Sequence, residues 1–540
     1  MMNERESHSL CSFLFSCLEN LRPALCLLKY LNNIKESVTL LQYLHIHLIY
    51  RIMKNLISIV ILTISLCACT QHRSPAVEWI STTADSLFVS HPGIFMSEFV
   101  DSADVEILLD NPMQEIDGFG ACFNELGWTS LSELNSEDRE NIIKDLFSKD
   151  GMNFSVGRMP LGANDFSRDW YSYNETDKDF EMENFSIAND EETLIPFIKA
   201  ALAVRPDLRL WASPWCPPTW MKYNKHYACM YQDPETVQEN MKQLGISNSI
   251  TTVNHLTPDQ QGAEGADMFI QKPEYLKAYA LYFKKFIEAY RSKGIRIEMV
   301  APQNEFNSCQ VFPSCIWTAE SLSRFVGTYL GPGMQKLGVK ILFGTMERKN
   351  DLMIDTVMKS EAGKYVSAIG FQWAGKGAIK AVHEKYPELK LVQTESECGD
   401  GKNSWDYCFY TWNLMKHYLS NGTSVYMYWN ISLEEDGLSH WFWRQNSLVS
   451  VDKDTKTYRY TPEYYLMKQF SHFVQPGARR IETSGRYDNL LAFRNPDNSI
   501  VVVAANEENF EQPLKVRIGK FILPVNLESR SINTFVIPQK

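Results

Sequence analysis

Residues 273–305 read PEYLKAYALYFKKFIEAYRSKGIRIEMVAPQNE, and their reading decides the fold. Through residues 273–294 the apolar side chains recur at i, i+3 and i+4, and the pattern stops at Gly294, which predicts an amphipathic helix. The next residues, 295–305, are β-branched and apolar before they end on Gln303, Asn304 and Glu305, which predicts a strand. Helix followed by strand is one step of a βα repeat. Seven more strand-like runs flank it: EIDGFGACF (115–123), FSVGRMPLG (154–162), LRLWASP (208–214), VKILFGTME (339–347), YVSAIGFQW (365–373), LKLVQTESE (389–397) and SVYMYWN (424–430). Each is bounded by turn residues and followed by a stretch long enough for a helix, such as SEDRENIIKDLFSK (136–149), which opens with Ser136 as expected N-cap. Eight parallel strands alternating with helices close into a barrel. The predicted class is therefore α/β, a (β/α)8 TIM barrel over 115–476. Residues 221–272, rich in Asn, Gln, Gly and Thr, are expected to form a long loop on its catalytic face.

Beyond the expected helix at 461–474 the period changes to two in RRIETSG, NLLAFRN, SIVVVAAN, LKVRIG and INTFVIP, the pattern of an antiparallel β domain. Residues 76–114 contain similar short strands. Both chain ends are expected to build one accessory antiparallel β-sandwich, 76–114 with 477–540. Upstream, residues 53–69 (MKNLISIVILTISLCAC) combine a Lys, a short apolar run and a final cysteine, the pattern of a secretion signal. Leu66-Cys67-Ala68-Cys69 resembles the lipobox of bacterial lipoproteins, which implies cleavage before Cys69 and lipidation of its thiol. On that reading Met53 is the true start, residues 1–52 lie upstream of it, and residues 70–75 are a tether. The expected location is the bacterial cell envelope, with membrane contact only through the anchor.

The chain carries 53 Lys+Arg against 65 Asp+Glu, a net charge of −12, with no basic cluster, which argues against nucleic acid as a partner. Aromatic residues make up 12%, with 13 Trp and 25 Tyr, enough to supply a stacking surface for sugar-like ligands. Of the 12 cysteines, five precede residue 70 and the others are scattered, without a C-x-x-C pair or a neighbouring His at zinc spacing. Neither a disulfide framework nor a metal site is indicated, and Cys309 and Cys315, close enough to bridge a loop, are expected to be reduced and buried. The sequence holds no H-E-x-x-H, P-loop or G-x-G-x-x-G run, and no cofactor is implied.

Catalytic groups of such a barrel come from the C-terminal ends of its strands. The fourth predicted strand ends on Glu305 and the seventh carries Glu395, three strands apart, so their carboxyls face each other across the mouth. Opposed carboxylates are the apparatus of glycoside hydrolysis. Glu397, two residues on and expected on the same side of the strand, is the rival of Glu395.

Five motifs in register carry a resemblance: Gly118-Phe119-Gly120, the R-M-P-L-x-x-x-D-F-S run at 158–167, A-S-P-W-x-x-P-x-W at 212–220, Asn304-Glu305 and Thr394-Glu395. Together they resemble glycoside hydrolase family 30, which includes glucosylceramidases and β-1,6-glucanases, over residues 76 to 540. The resemblance implies Glu305 as general acid/base and Glu395 as nucleophile of a retaining enzyme, with the carboxyls about 5–5.5 Å apart. It implies a protonated Glu305 and an ionised Glu395. It further implies Asn304 on the sugar 2-hydroxyl, Asp165 on the non-reducing hydroxyls, Arg158 holding the nucleophile through a fork of donors, and Trp215 and Trp429 as pocket walls. Asp165 as a helix N-cap and Arg158 as a structural ion pair stay open beside these roles. Trp220, Trp128, Trp373 and Trp441 stay open between core and site. Phe306 and Ala374 depart from the pattern, where many relatives have Pro and glucosylceramidase-like members Tyr. The expected function is β-glucosyl hydrolysis, with endo-β-1,6-glucanase, or β-xylosidase, β-fucosidase or β-galactosidase action, and non-catalytic glycan binding as alternatives. The expected substrate partner is a carbohydrate or glycoconjugate.

Overall fold

The computed structural model describes residue 42 and residues 44–56, 76–98, 102–243, 254–441 and 444–538. The chain forms two compact units, Met1–Ser74 and Pro75–Lys540. In the first, residues 44–56 are helical. Cys69 and residues 57–75 of the expected signal and tether lie outside the described residues. Among the described residues no helix is long and apolar enough to cross a membrane.

In the second unit eight parallel strands close a barrel: Gly118–Cys122, Val156–Pro160, Arg209–Ser213, Ile297–Val300, Lys340–Met346, Val366–Gln372, Lys390–Glu395 and Thr423–Asn430. The eighth pairs in parallel with the first, Val425 beside Gly118 and Met427 beside Gly120. Gly120 is required there by space: a Cβ on it would meet the Val156 carbonyl oxygen at 1.7 Å. The barrel interior is filled by Val156, Trp211, Leu342, Ala368, Val392, Val425 and Met427. Side chains alternate along a strand, so Arg158 and Trp429, two residues beyond Val156 and Met427, close this layer from above, toward the catalytic face.

Several boundaries differ from the sequence pattern. The fourth strand stops at Val300, short of the expected 305, because the chain leaves the ladder. Asn304 N–H then donates to the Pro214 carbonyl at 2.7 Å, and Glu305 adopts a left-handed φ of 47°. Residues 115–116, read as the start of the first barrel strand, belong to the sandwich strand Val105–Ile116, which pairs with Ala478–Gly485. The helix expected to start on a Ser136 cap spans Ser136–Phe147, and its cap is Asn135, whose side chain accepts from Asp138 N–H at 2.9 Å. Residues 221–272 contain a helix at Pro234–Gln243 and a bridge between Lys222 and Phe269.

Strands from both chain ends form one ten-stranded sheet. Ala76–Thr82 pairs antiparallel with Ser531–Ile537, and the sheet holds one parallel pair, Val105–Ile116 with Gln512–Ile518. Its inner face, with Val501, Val503 and Ile532, joins the hydrophobic core around the barrel helices. All seven cysteines from Cys122 to Cys408 are free and buried.

Candidate active site

At the C-terminal mouth of the barrel lies a cavity of about 310 Å³ whose walls include Asp165, Trp215, Glu305, Glu347, Trp373 and Glu395. The two glutamates singled out from the sequence meet here. Gln372 Nε2, at the end of the sixth strand, donates to Glu305 Oε1 at 3.0 Å and to Glu395 Oε2 at 3.2 Å. One nitrogen shared by both carboxyls keeps those oxygens no more than about 6 Å apart, below the roughly 6.5–9.5 Å that an inverting water requires and nearer the roughly 5–5.5 Å of retaining enzymes.

How Glu395 reaches the cavity was not readable from strand alternation. Phe371 pairs with Gln393 but Gln372 pairs with Glu395, so Thr394 is an extra residue in the seventh strand. Such a bulge re-aims the next side chain. Val392 faces the barrel interior, and Glu395, three residues on, is turned inward as well. The strand ends at Glu395, so the expectation that Glu397 shares its side fails. Glu397 instead binds Lys376 Nζ at 2.6 Å and accepts from the Tyr410 hydroxyl.

Donors surround Glu395. Oε1 accepts from Trp373 Nε1 at 2.8 Å, and Oε2 accepts from Arg158 Nη1 at 2.9 Å as well as from Gln372. Arg158 is fully buried, with its guanidinium carbon 4.8, 4.5 and 5.4 Å from the ring centres of Trp211, Trp215 and Trp429. It does not grip the carboxylate with a fork, as expected, but divides its donors. Nη2 goes to Asn304 Oδ1 at 2.7 Å and to Ser213 Oγ at 3.0 Å, because one acceptor ends the third strand and the other lies on the segment that follows the fourth. Asn304 Oδ1 also accepts from Thr345 Oγ1 at 3.0 Å and Gln372 Nε2 at 3.2 Å. These donors fix the amide oxygen, and the NH2 group of Asn304 meets no acceptor among the described residues.

Glu305 sits differently. Its backbone N–H is held by Thr345 Oγ1 at 2.9 Å, and its Oε2 is buried without a partner among the described residues. Burial, then the charge of Glu395, then that of Glu347, push its pKa well above the usual carboxylate range. Burial raises Glu395 too, but less far, because the Arg158 charge and the Trp373, Arg158 and Gln372 hydrogen bonds pull against it. The pair therefore loses its first proton from Glu395, and the arrangement can hold one carboxylate and one carboxylic acid together.

Asp165 lies in the cavity wall, with Oδ1 buried and unpartnered among the described residues and its pKa raised by burial and then by the charge of Glu395. It caps no helix; the next helix begins at Leu194. Trp215 lines the cavity, whereas Trp429 is fully buried behind it, stacked at 5.4 Å, and forms part of the Arg158 cage rather than a wall. Of the four tryptophans left open, Trp373 belongs to the site. Trp220 is buried with Nε1 on the Asn174 carbonyl, Trp128 packs on Phe197, and Trp441 stacks on Trp170 at 4.3 Å. Sequence reading missed Gln372, Thr345 and Glu347. All three stand at the ends of the fifth and sixth strands, so the rule that drew attention to Glu305 applied to them as well.

Residues 116–243 and 256–474 match the Glycosyl hydrolase family 30 TIM-barrel domain, and residues 477–535 match the Glycosyl hydrolase family 30 beta sandwich domain. The lysosomal acid glucosylceramidase of Mus musculus is 26% identical over 439 residues, 75% of this chain and 78% of that protein. An endo-1,6-beta-D-glucanase of Aspergillus fumigatus is 24% identical over 451 residues, 79% of this chain and 85% of its own length. The crystal structure of SrfJ from Salmonella typhimurium superposes with a TM-score of 0.75 at 22% identity, over 86% of this chain and 100% of that one, a likeness of fold.

Proposed function

Because the chain belongs to glycosyl hydrolase family 30 and is a glycoside hydrolase of carbohydrate or glycoconjugate substrates, we propose that it cleaves β-glucosyl linkages with retention of configuration. The observation that carries this reading is the single amide of Gln372 shared by Glu305 and Glu395. At that spacing Glu395 attacks the anomeric carbon while Glu305 gives its proton to the leaving oxygen. A covalent glycosyl-enzyme forms, and Glu305, now a base, draws the proton from the water that releases the sugar. Arg158, Trp373 and Gln372 hold Glu395 ionised and oriented for the attack. The free NH2 of Asn304 is directed to the 2-hydroxyl, and Asp165 to the far hydroxyls. A 2-fluoro glycoside with a good leaving group is expected to label Glu395, seen by peptide mass spectrometry. Label on Glu397, or none, removes the reading.

One observation favours a sugar rather than a lipid as the leaving group. Asn307, two residues past the acid, accepts from Glu347 and Arg348 N–H at 3.1 and 3.2 Å, which puts both residues on the Glu305 side of the cavity. Arg348 also bonds Glu264 at 2.9 Å and so ties the long loop to that wall. Carboxylate and guanidinium suit a hydroxyl-rich aglycone, such as the next glucose of a β-1,6-glucan. Glu347→Gln is expected to lower kcat/KM about ten-fold on a β-1,6-linked glucose disaccharide and far less on an aryl β-glucoside, each assayed at its own pH optimum. Equal losses on both substrates would remove the sugar reading. We further propose lipidation of Cys69 and residence at the bacterial cell envelope, supported by the lipobox-like Leu66–Cys69 run.

A further inference from the structure

Away from the catalytic mouth, the barrel helix Trp405–Ser420 and the sandwich strands Ala478–Gly485 and Leu490–Arg494 border a cleft of about 510 Å³. It shares no lining residue with the catalytic cavity. Arg480 stands in its wall with 7% of its surface exposed. Its Nε donates to Gln114 Oε1 at 3.3 Å, and that amide is oriented by its own Nε2, which donates to the Leu419 and Thr423 carbonyls at 2.6 and 3.1 Å. The guanidinium is thus held in place, while its two terminal nitrogens have no acceptor among the described residues. Lys416 lines the same cleft, with Nζ on Asn489 Oδ1 at 2.9 Å and no carboxylate partner among the described residues. Glu482 and Asp488 also line the cleft, both exposed, and neither forms an ion pair with Arg480.

Burial of the side chain pushes the guanidinium pKa down despite Glu482, and its terminal nitrogens, open to the cleft, meet no protein acceptor among the described residues. An oxyanion would supply the missing acceptors, since planar and tetrahedral oxyanions match the paired N–H groups of arginine. Among the other polar groups of the lining, Asn413, Asp488 and Glu482 suit hydroxyls rather than a second negative charge. We infer that this cleft is a second carbohydrate site for an acidic sugar, a pyranose whose carboxylate or sulfate ester lies between Arg480 and Lys416 while its hydroxyls meet Asn413, Asp488 and Glu482.

Isothermal titration of the full chain with glucuronate, glucose 6-sulfate, glucose and inorganic sulfate tests this. One or both acidic sugars are expected to bind, with glucose and inorganic sulfate much weaker. Arg480→Gln and Lys416→Gln are each expected to weaken that binding about ten-fold, with turnover of an aryl β-glucoside unchanged. Lys416 is half-buried on a helix surface, so its variant carries the test if the Arg480 variant does not fold. Unchanged affinity in the Lys416 variant, glucose binding as well as the acidic sugars, or inorganic sulfate matching them, an adventitious ion only, overturns the proposal.

Discussion

Two glutamates with the same side chain have different environments, and the difference sets their chemistry. Glu395 is enclosed by an arginine, an indole N–H and an amide; Glu305 has a bare, buried Oε2 and two like charges nearby. Donors favour the charged form and burial beside like charge disfavours it. The sign for pH follows. Glu305, the proposed acid, is competent below its raised pKa and loses its proton as pH rises through it, so the alkaline limb of the kcat/KM profile is expected to belong to Glu305 and to lie above the usual carboxylate range. In Glu305→Gln that limb should vanish, with kcat/KM down about 10²–10⁴-fold on a glucoside whose leaving group needs protonation. A profile unchanged in shape would assign the limb to another group. The same raised pKa works against stability at high pH: the folded chain keeps the proton that the unfolded chain releases, so this contribution is lost as pH rises from the unfolded pKa through the folded one.

At the scale of elements, small departures from regularity aim the site. The bulge at Thr394 turns Glu395 inward, the early end of the fourth strand at Val300 frees the chain to present Glu305 at φ 47°, and Trp373, just past the sixth strand, also has a left-handed φ, of 46°. Non-glycine residues in that region are costly, and these two are held by bonds to Thr345 and Glu395. The barrel that carries these ends depends on close strand contact at Gly120. Gly120→Ala is expected to destabilise the protein by about 1–3 kcal/mol, because the added methyl meets the backbone of the neighbouring strand, which cannot rotate away. Thermal or urea unfolding reads this directly, and a variant as stable as the parent would show that the two strands can part at no cost.

For the whole molecule, the proposed anchor predicts labelled palmitate incorporation that is lost in Cys69→Ser, whereas a parent protein that takes up no label in a bacterial host removes the anchor. The sandwich shares a core with the barrel, and Gln469 of the helix Pro462–Ser471 binds Thr82 through its side chain and Thr534 through its carbonyl, so two neighbouring strands, one from each chain end, hold one barrel helix. Much of this architecture was written in periodicity: eight strand runs alternating with helices, then a change to period two, left a closed parallel barrel and a β-rich accessory domain as the economical solution. Local pattern suffices for that because burial of alternate or every third and fourth side chain is a local demand. It also brought Glu305 and Glu395 to one mouth, since strand ends are adjacent whenever strands are parallel. What the chain alone could not decide was orientation: the inward turn of Glu395, the dismissal of Glu397 to Lys376, the division of Arg158 among Glu395, Asn304 and Ser213, the recruitment of Gln372 and Trp373, and the retreat of Trp429 behind Trp215. Each depends on one extra residue in a ladder or on acceptors supplied by other strands, and such partners exist only once the barrel has closed.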